Sequence, residues 1–180
     1  MVGTLRRLCA AAVKAVPASG AGLSVMTDGG VRGVAAASDE ASEHSDELEF
    51  DLGEGPCRDA FASGRPVLEA DLAAGGMARW PLYASAPHDH GVRAAFAFPL
   101  QVGAARLGVL DLHRSLPGPL SAEELASALS FADVATTMLL DRQEEAQLGA
   151  ADHGLDESLA SIASNCIRPK AWSWSSSASV

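Results

Sequence analysis

The sequence of 180 residues has few basic residues, few aromatic residues and few cysteines. Its 23 acidic residues outnumber 13 basic ones, and the resulting net charge of −10 repels phosphate backbones and anionic lipid surfaces. Nucleic-acid binding by this chain is therefore not expected. No apolar run approaches the roughly 20 residues that a membrane-spanning helix needs, and charges interrupt residues 1–16 too often for a signal peptide. We expect a cytoplasmic protein without membrane contact.

Groups that usually carry chemistry are also scarce. Cys9, Cys57 and Cys166 are far apart and odd in number, which favours reduced thiols over a disulfide framework or a zinc cluster. His88 and His90 form an H-x-H pair, but no third ligand stands at coordinating spacing, so a solvated loop is the better interpretation. No assembled catalytic group is evident between residues 52 and 112. These absences favour a binding or sensing domain over an enzyme.

The 48% apolar content is enough for one hydrophobic core. Helical spacing of apolar residues predicts an amphipathic helix over residues 2–16, and residues 23–27 and 31–37 then resemble the two strands of a hairpin. Residues 38–49 are acidic and polar, which predicts a solvated loop. A short helix over residues 57–63 is predicted to end at Gly64, followed by a short strand at Val67 and Leu68 and by a looser stretch with helical turns over residues 71–90.

Two near-continuous apolar runs, residues 93–102 and 105–114, predict central antiparallel strands around a turn at Gly103. Ser121, with Glu124 three residues on, resembles a capping box that opens a helix reaching Leu148. Such a helix would be about 40 Å long at ~1.5 Å per residue, more than the width of a small sheet. We therefore expect a homodimer through the first and last helices; the alternative is that both pack only on their own sheet.

Several short motifs occur in a characteristic order: LGEGPC (52–57), GRPV (64–67), DL (71–72), RWP (79–81), GVR (91–93), FPL (98–100), GVLDL (108–112) and FAD (131–133). In this order the segment resembles the GAF domains of bacterial signalling and transcription-control proteins, over residues 2–148. The resemblance implies an α+β fold, an α/β sandwich in which an antiparallel sheet carries the terminal helices on one face and a ligand pocket on the other. It implies a non-enzymatic sensory module and leaves the ligand and any cofactor unidentified.

The candidate pocket combines aromatic surface with possible polar anchors. Arg79 and Arg93 could meet an anionic group, and Cys57, near a helix start, could instead be the nucleophile of a reductase on the same fold. The alternative is that these groups are core or solvated. The Cys-His pair typical of bilin-binding relatives and the Asn-Lys-Phe-Asp-Glu signature of cyclic-nucleotide-binding relatives are both missing. His113, near a strand end, is expected at the surface. The candidate pocket residues are Cys57, Arg79, Trp80, Tyr83, Arg93, Phe96 and Phe98.

The tail has a different character. Residues 149–165 resemble a helical linker, and residues 166–180, CIRPKAWSWSSSASV, have no periodicity and are expected to be disordered. Members of the resembled family often continue into an ANTAR domain, a helical RNA-binding module. One permissible set of codons for residues 166–180, translated in the reading frame two bases later, encodes HQAKGMVMVQLGVG, which resembles the start of that module. Our hypothesis is that a frameshift near Asn165 replaced an ANTAR domain, so that RNA binding would belong only to a full-length parent protein.

Overall fold

A computed structural model describes residues 2–27, 30–86 and 91–143. Its described strands form one antiparallel sheet of five strands in the order β2-β1-β5-β4-β3. The strands are β1 (Gly20–Thr27), β2 (Gly30–Ala37), β3 (Val67–Glu69), β4 (Ala94–Val102) and β5 (Ala105–Arg114). The β1–β2 hairpin and the central β4–β5 pair confirm the expected strands. The α+β class predicted from the sequence is confirmed.

The first and last helices pack on one face of the sheet. Helix α1 spans Val2–Ala15, and the last described helix, α6, covers residues 122–143. A reciprocal capping box opens α6, because the Glu124 N–H donates to Ser121 Oγ at 3.2 Å and the Ser121 N–H donates to Glu124 Oε2 at 2.7 Å. The main core lies between these helices and the sheet; its largest members are Leu5, Leu8, Val16, Leu23, Phe96, Phe98, Leu100, Leu110, Leu112 and Leu139.

The opposite face of the sheet is covered by shorter elements. These are α2 (Glu40–Leu52), α3 (Pro56–Ser63), a π-helical turn (Leu72–Gly76), α4 (Met77–Arg79) and α5 (Pro81–Ser85). A second, smaller core lies beneath them, with Met26, Cys57, Phe61, Leu72, Trp80 and Tyr83 as its main members. Gly64, in the left-handed region at φ 65°, ends α3 as expected.

Residues 38–49 are not the solvated loop that their composition predicts. Asp39 caps α2 by accepting the Ser42 N–H at 2.9 Å, and Ser42, Ser45, Asp46 and Glu49 are buried against the sheet. These four residues recur at i, i+3, i+4 and i+7, the spacing of one helical face. The prediction failed because this buried face is polar, and a search for apolar periodicity cannot detect it.

The chain divides into a compact unit, Met1–Leu140, and a second unit, Asp141–Val180. Of the second unit the structure describes only residues 141–143. The predicted helix end at Leu148, the linker, the tail and Cys166 therefore lie outside the described residues, as do His88 and His90.

Candidate ligand-binding site

A buried polar cluster occupies the second face of the sheet. It consists of Asp46 and Glu49 from α2 and of Asp111 and His113 from β5, each between 1% and 3% exposed. Side chains alternate between the two faces along a strand, so Asp111 and His113 point away from the core that Leu110 and Leu112 join. Four titratable groups are thereby brought together beneath α2.

Glycines allow α2 to approach the sheet closely. Gly22 of β1 pairs with Asp111 of β5. A Cβ atom added at Gly22 would overlap the Asp46 carboxylate, and one added at Gly20 would overlap the Ser42 hydroxyl. The Asp46 carboxylate therefore lies directly over the Gly22 backbone, beside Asp111, and its Oδ1 is 3.7 Å from His113 Nε2.

Glu49 connects the cluster to the LGEGPC turn. Its Oε2 accepts the backbone N–H of Cys57 at 2.8 Å, at the first turn of α3. Gly55, at φ 148°, has no side chain where the Glu49 carboxylate packs, since an added Cβ would overlap it. The second glycine of the motif is thus required both by its backbone angle and by the close approach of Glu49.

Burial sets the protonation of the cluster. It raises the pKa of Asp111 to about 7 and, with repulsion from Asp111, raises the pKa of both Asp46 and Glu49 well above the usual range. It lowers the pKa of His113 to about 4. At neutral pH His113 is therefore uncharged, and its close contact with Asp46 is not an ion pair.

Many polar atoms of the cluster have no hydrogen-bond partner among the described residues. They include both carboxylate oxygens of Asp46, one carboxylate oxygen each of Glu49 and Asp111, and both ring nitrogens of His113. Leaving such a buried group unpaired costs about 1–3 kcal/mol. A polar cluster with this many unpaired atoms is atypical of a structural core and typical of a site that receives a ligand or water.

Three of the seven residues expected in the pocket lie in the second core, on the same face of the sheet as this cluster. Cys57, Trp80 and Tyr83 are buried in the second core, and the Tyr83 hydroxyl lies 3.4 Å from Ser45 Oγ. Burial, followed by repulsion from Asp111, raises the pKa of Cys57 well above its usual value, and the thiol lies 4.0 Å from the Met26 sulfur. At neutral pH Cys57 is consequently a protonated, buried thiol.

Arg79 stabilises the wall of the site from outside. Its guanidinium donates to Asp59 Oδ2 at 2.9 Å and stacks 4.2 Å from the centre of the Trp80 ring. The Trp80 indole N–H donates to the same oxygen at 3.1 Å. Glu54 holds the next turn, because its Oε1 accepts the N–H groups of Leu82 and Tyr83 at 2.6 and 3.2 Å. These contacts fix α4 and α5 over the second core.

The remaining expected pocket residues are not brought to the cluster. Phe96 and Phe98 alternate with Ala95 and Ala97 on β4, and the strand turns the two rings towards the terminal helices, so both belong to the main core. Arg93 precedes β4; its backbone N–H donates to the carbonyl oxygen of Arg114, and its carbonyl oxygen accepts the N–H of Leu72.

The expected surface position of His113 is wrong, because the side chain is 3% exposed beneath α2. Sequence reasoning also missed Asp46, Glu49 and Asp111. Two signals were present: the helical spacing of the α2 residues and a single carboxylate inside the apolar run GVLDL. In the described ranges, no group of three or more His, Cys, Asp or Glu side chains is arranged to hold a metal ion. Within the same ranges, no helix has the length and apolar content needed to cross a bilayer.

A GAF domain family model matches residues 2–140. The chain belongs to the GAF domain family. No curated protein shows significant sequence similarity to this GAF domain.

Solved GAF-like structures share its fold at low identity. A domain assigned to a two-component sensor histidine kinase of Sinorhizobium meliloti 1021 is 17% identical, with a TM-score of 0.67 over 82% of this chain and 97% of the other. The blue-light absorbing PixJ GAF domain of Thermosynechococcus elongatus is 18% identical, with a TM-score of 0.63 over 85% and 92%. The free methionine-R-sulfoxide reductase of Thermoplasma acidophilum is 19% identical, with a TM-score of 0.60 over 77% and 92%. At these identities the likeness concerns the fold alone.

Proposed function

We propose that this GAF domain is a non-enzymatic, cytoplasmic sensory module that binds a small molecule on the α2 face of its sheet. The observation that carries the proposal is the buried cluster of Asp46, Glu49, Asp111 and His113, in which several polar atoms have no partner among the described residues although apolar residues could fill the same space. Such a cluster lowers the stability of the empty domain. Bound ligand would pair these atoms and couple occupancy to the position of α2, which is how a sensory domain can report a signal.

Native mass spectrometry of the purified chain tests this proposal. We expect an added mass of a small molecule that is lost on denaturation, either as purified or after incubation with a metabolite extract. Glu47→Gln, on the exposed side of α2, is the matched control and should keep the adduct. A protein that stays free of any adduct under all these conditions would contradict ligand binding.

The alternative function is a cysteine-dependent reductase with Cys57 as nucleophile. Its support is that the Thermoplasma acidophilum reductase has a similar fold. Two features disfavour it. The raised pKa of Cys57 opposes thiolate formation, and Cys9, whose pKa burial raises to about 12, lies in the other core on the opposite face of the sheet. Cys57→Ser should leave both thiol labelling of the folded protein and any methionine-sulfoxide reduction unchanged; a loss of reductase activity would favour the alternative.

We further propose that two copies associate through the terminal helices. The apolar stripe of α1 is used by its own sheet, so the contact would involve the outer side of α6, where Leu129 and Val134 are 42% and 51% exposed. Light scattering at micromolar concentration should give a dimer mass, and the double variant Leu129→Glu, Val134→Glu should be monomeric. Leu116→Glu, on an exposed loop, is the control. A monomeric native chain would refute this proposal.

For the origin of the chain we propose descent from a GAF-ANTAR transcription antitermination regulator. Its support is that one permissible set of codons for residues 166–180, read two bases later, encodes HQAKGMVMVQLGVG. RNA would then be a partner of the parent protein and not of this chain. The nucleotide sequence of the gene tests the idea directly, because a stop codon or an unrelated reading in the shifted frame would contradict it.

A further inference from the structure

A cleft opens at the end of the buried cluster, between the start of α2 and the end of β5. Its volume is about 120 Å³, and Asp39, Ser42 and His113 are among its lining residues. Pockets for whole drug-sized ligands are larger, about 300–1,000 Å³. The cleft therefore has the size of a ligand head group. His113 forms its floor and connects it to the buried cluster, because His113 Nε2 lies 3.7 Å from Asp46 Oδ1.

The groups that line this cleft mostly accept hydrogen bonds. Asp39 is ionised at neutral pH: partial burial acts to raise its pKa, but hydrogen bonds from Ser38 and Ser42 outweigh this and lower it. His113 is neutral, so one of its ring nitrogens is an acceptor, and neither nitrogen has a partner among the described residues. The hydroxyls of Ser19, Ser42 and Ser115 complete this side of the cleft.

Among the described residues that line the cleft, Arg114 is the one cation, and its charge is already compensated. Arg114 donates to Glu124 Oε1 at 2.7 Å and to the backbone oxygens of Val16 and Pro119 at 3.1 and 3.3 Å. Its charge is therefore directed away from Asp39 and His113. Behind His113 stand Asp46 and Asp111, which would acquire negative charge if a cation approached, because a nearby positive charge favours the ionised form of a carboxyl.

We propose that this cleft binds the positively charged head group of a small organic molecule, an ammonium or a guanidinium, between Asp39 and His113. The inference rests on the proposed sensory function and specifies the chemical class of its ligand. A head group with several N–H donors would pair His113 and compensate Asp39. An anion would meet the ionised carboxylate of Asp39, so it would be repelled.

Head-group-sized probes test the proposal on the full chain. Methylguanidinium and methylammonium are titrated at constant ionic strength, with acetamide and acetate as neutral and anionic probes, while amide NMR signals are recorded. We expect saturable shifts with a cation, at affinities of about millimolar for so small a probe, centred on Asp39, Ser42 and His113. Acetamide and acetate should leave these signals unchanged.

Two variants separate specific binding from general attraction to an acidic protein. Asp39→Asn removes the charge but keeps a good helix cap, and it should weaken methylguanidinium binding at least about tenfold. Glu47→Gln removes the same charge from the exposed side of α2 and should bind as the native chain does. Equal weakening by both variants, binding of acetate or acetamide in place of the cations, or no saturable shift with either cation would each overturn the cationic head group. An adduct in native mass spectra would in those cases still support the sensory function, whereas its absence would remove both.

Discussion

The buried carboxyl of Asp111 makes a quantitative prediction about stability and pH. Its pKa in the folded protein is about 7, above the ordinary value of 3.8 that it has when unfolded. Between these values the folded state holds a proton that the unfolded state has released. The stability that Asp111 contributes is therefore complete below about pH 4 and is lost as the pH rises through about 7.

The size of the effect follows from the shift. Each pKa unit corresponds to about 1.4 kcal/mol, so raising the pH from about 5 to above 7 removes about 3 kcal/mol of Asp111-dependent stability. His113 acts in the opposite direction, because its pKa falls from 6.5 to about 4 on folding and stability from this group rises over that range. Asp46 and Glu49, whose pKa is also raised, act in the same direction as Asp111, so the pH curve of the native protein alone would combine the effects of all these groups.

The comparison with Asp111→Asn isolates the carboxyl. The free energy of unfolding of both proteins is measured by urea denaturation, followed by far-UV circular dichroism, from about pH 5 to pH 8. We expect the native chain to lose about 3 kcal/mol relative to the variant over this range, since asparagine stays neutral. Glu47→Gln, on the exposed side of α2, is the control for the loss of a carboxyl outside the buried cluster. A native-minus-Asp111→Asn difference that is flat, or that grows with pH, would refute the assigned protonation of the cluster.

Three further perturbations test the packing around the site and the cap of α6. Gly22→Ala should lower the free energy of unfolding by about 1–3 kcal/mol, because the added Cβ would displace Asp46. The control Gly3→Ala, where an added Cβ meets no atom within 4 Å, should be neutral or stabilising. Equal effects of the two variants in urea denaturation would contradict the close approach of α2 to the sheet. Asp59→Ala should cost about 1 kcal/mol and increase hydrogen exchange in residues 77–85, since it frees both Arg79 and Trp80; unchanged exchange there would argue against this anchor. Ser121→Ala should lower the melting temperature through a loss of about 1 kcal/mol, and an unchanged value would show that the capping box adds nothing.

The sheet and the terminal helices could be predicted from the sequence because their burial is apolar. Alternating or continuous apolar runs fix β4 and β5, and a stripe of Leu5, Leu8 and Ala12 fixes the inner face of α1. Local signals fixed the boundaries equally well: Gly64 ends α3, and Ser121 with Glu124 begins α6. In each case the residue type has one dominant physical preference, and tertiary structure agrees with it.

The site could be predicted only in part, because the same signals do not specify which side of a sheet faces the ligand. The structure brings Cys57, Trp80 and Tyr83 together in the second core. Phe96 and Phe98 were misplaced because alternation along β4 assigns two sets of residues to opposite faces without saying which face is which. Only the packing of α1 and α6 against Phe96 and Phe98 decides that question.

The wrong prediction of a loop at α2 and the presence of the candidate site have one physical origin. An amphipathic helix is recognisable when its buried face is apolar, and α2 instead buries Ser42, Ser45, Asp46 and Glu49. Selection for stability alone would favour apolar residues there, since burying carboxyls costs free energy that their neighbours do not fully return. A polar stripe that is held against the sheet by Gly20 and Gly22 is therefore best explained by a role in binding. Where local pattern and burial disagree, as they do along this helix, a functional site is the expected reason.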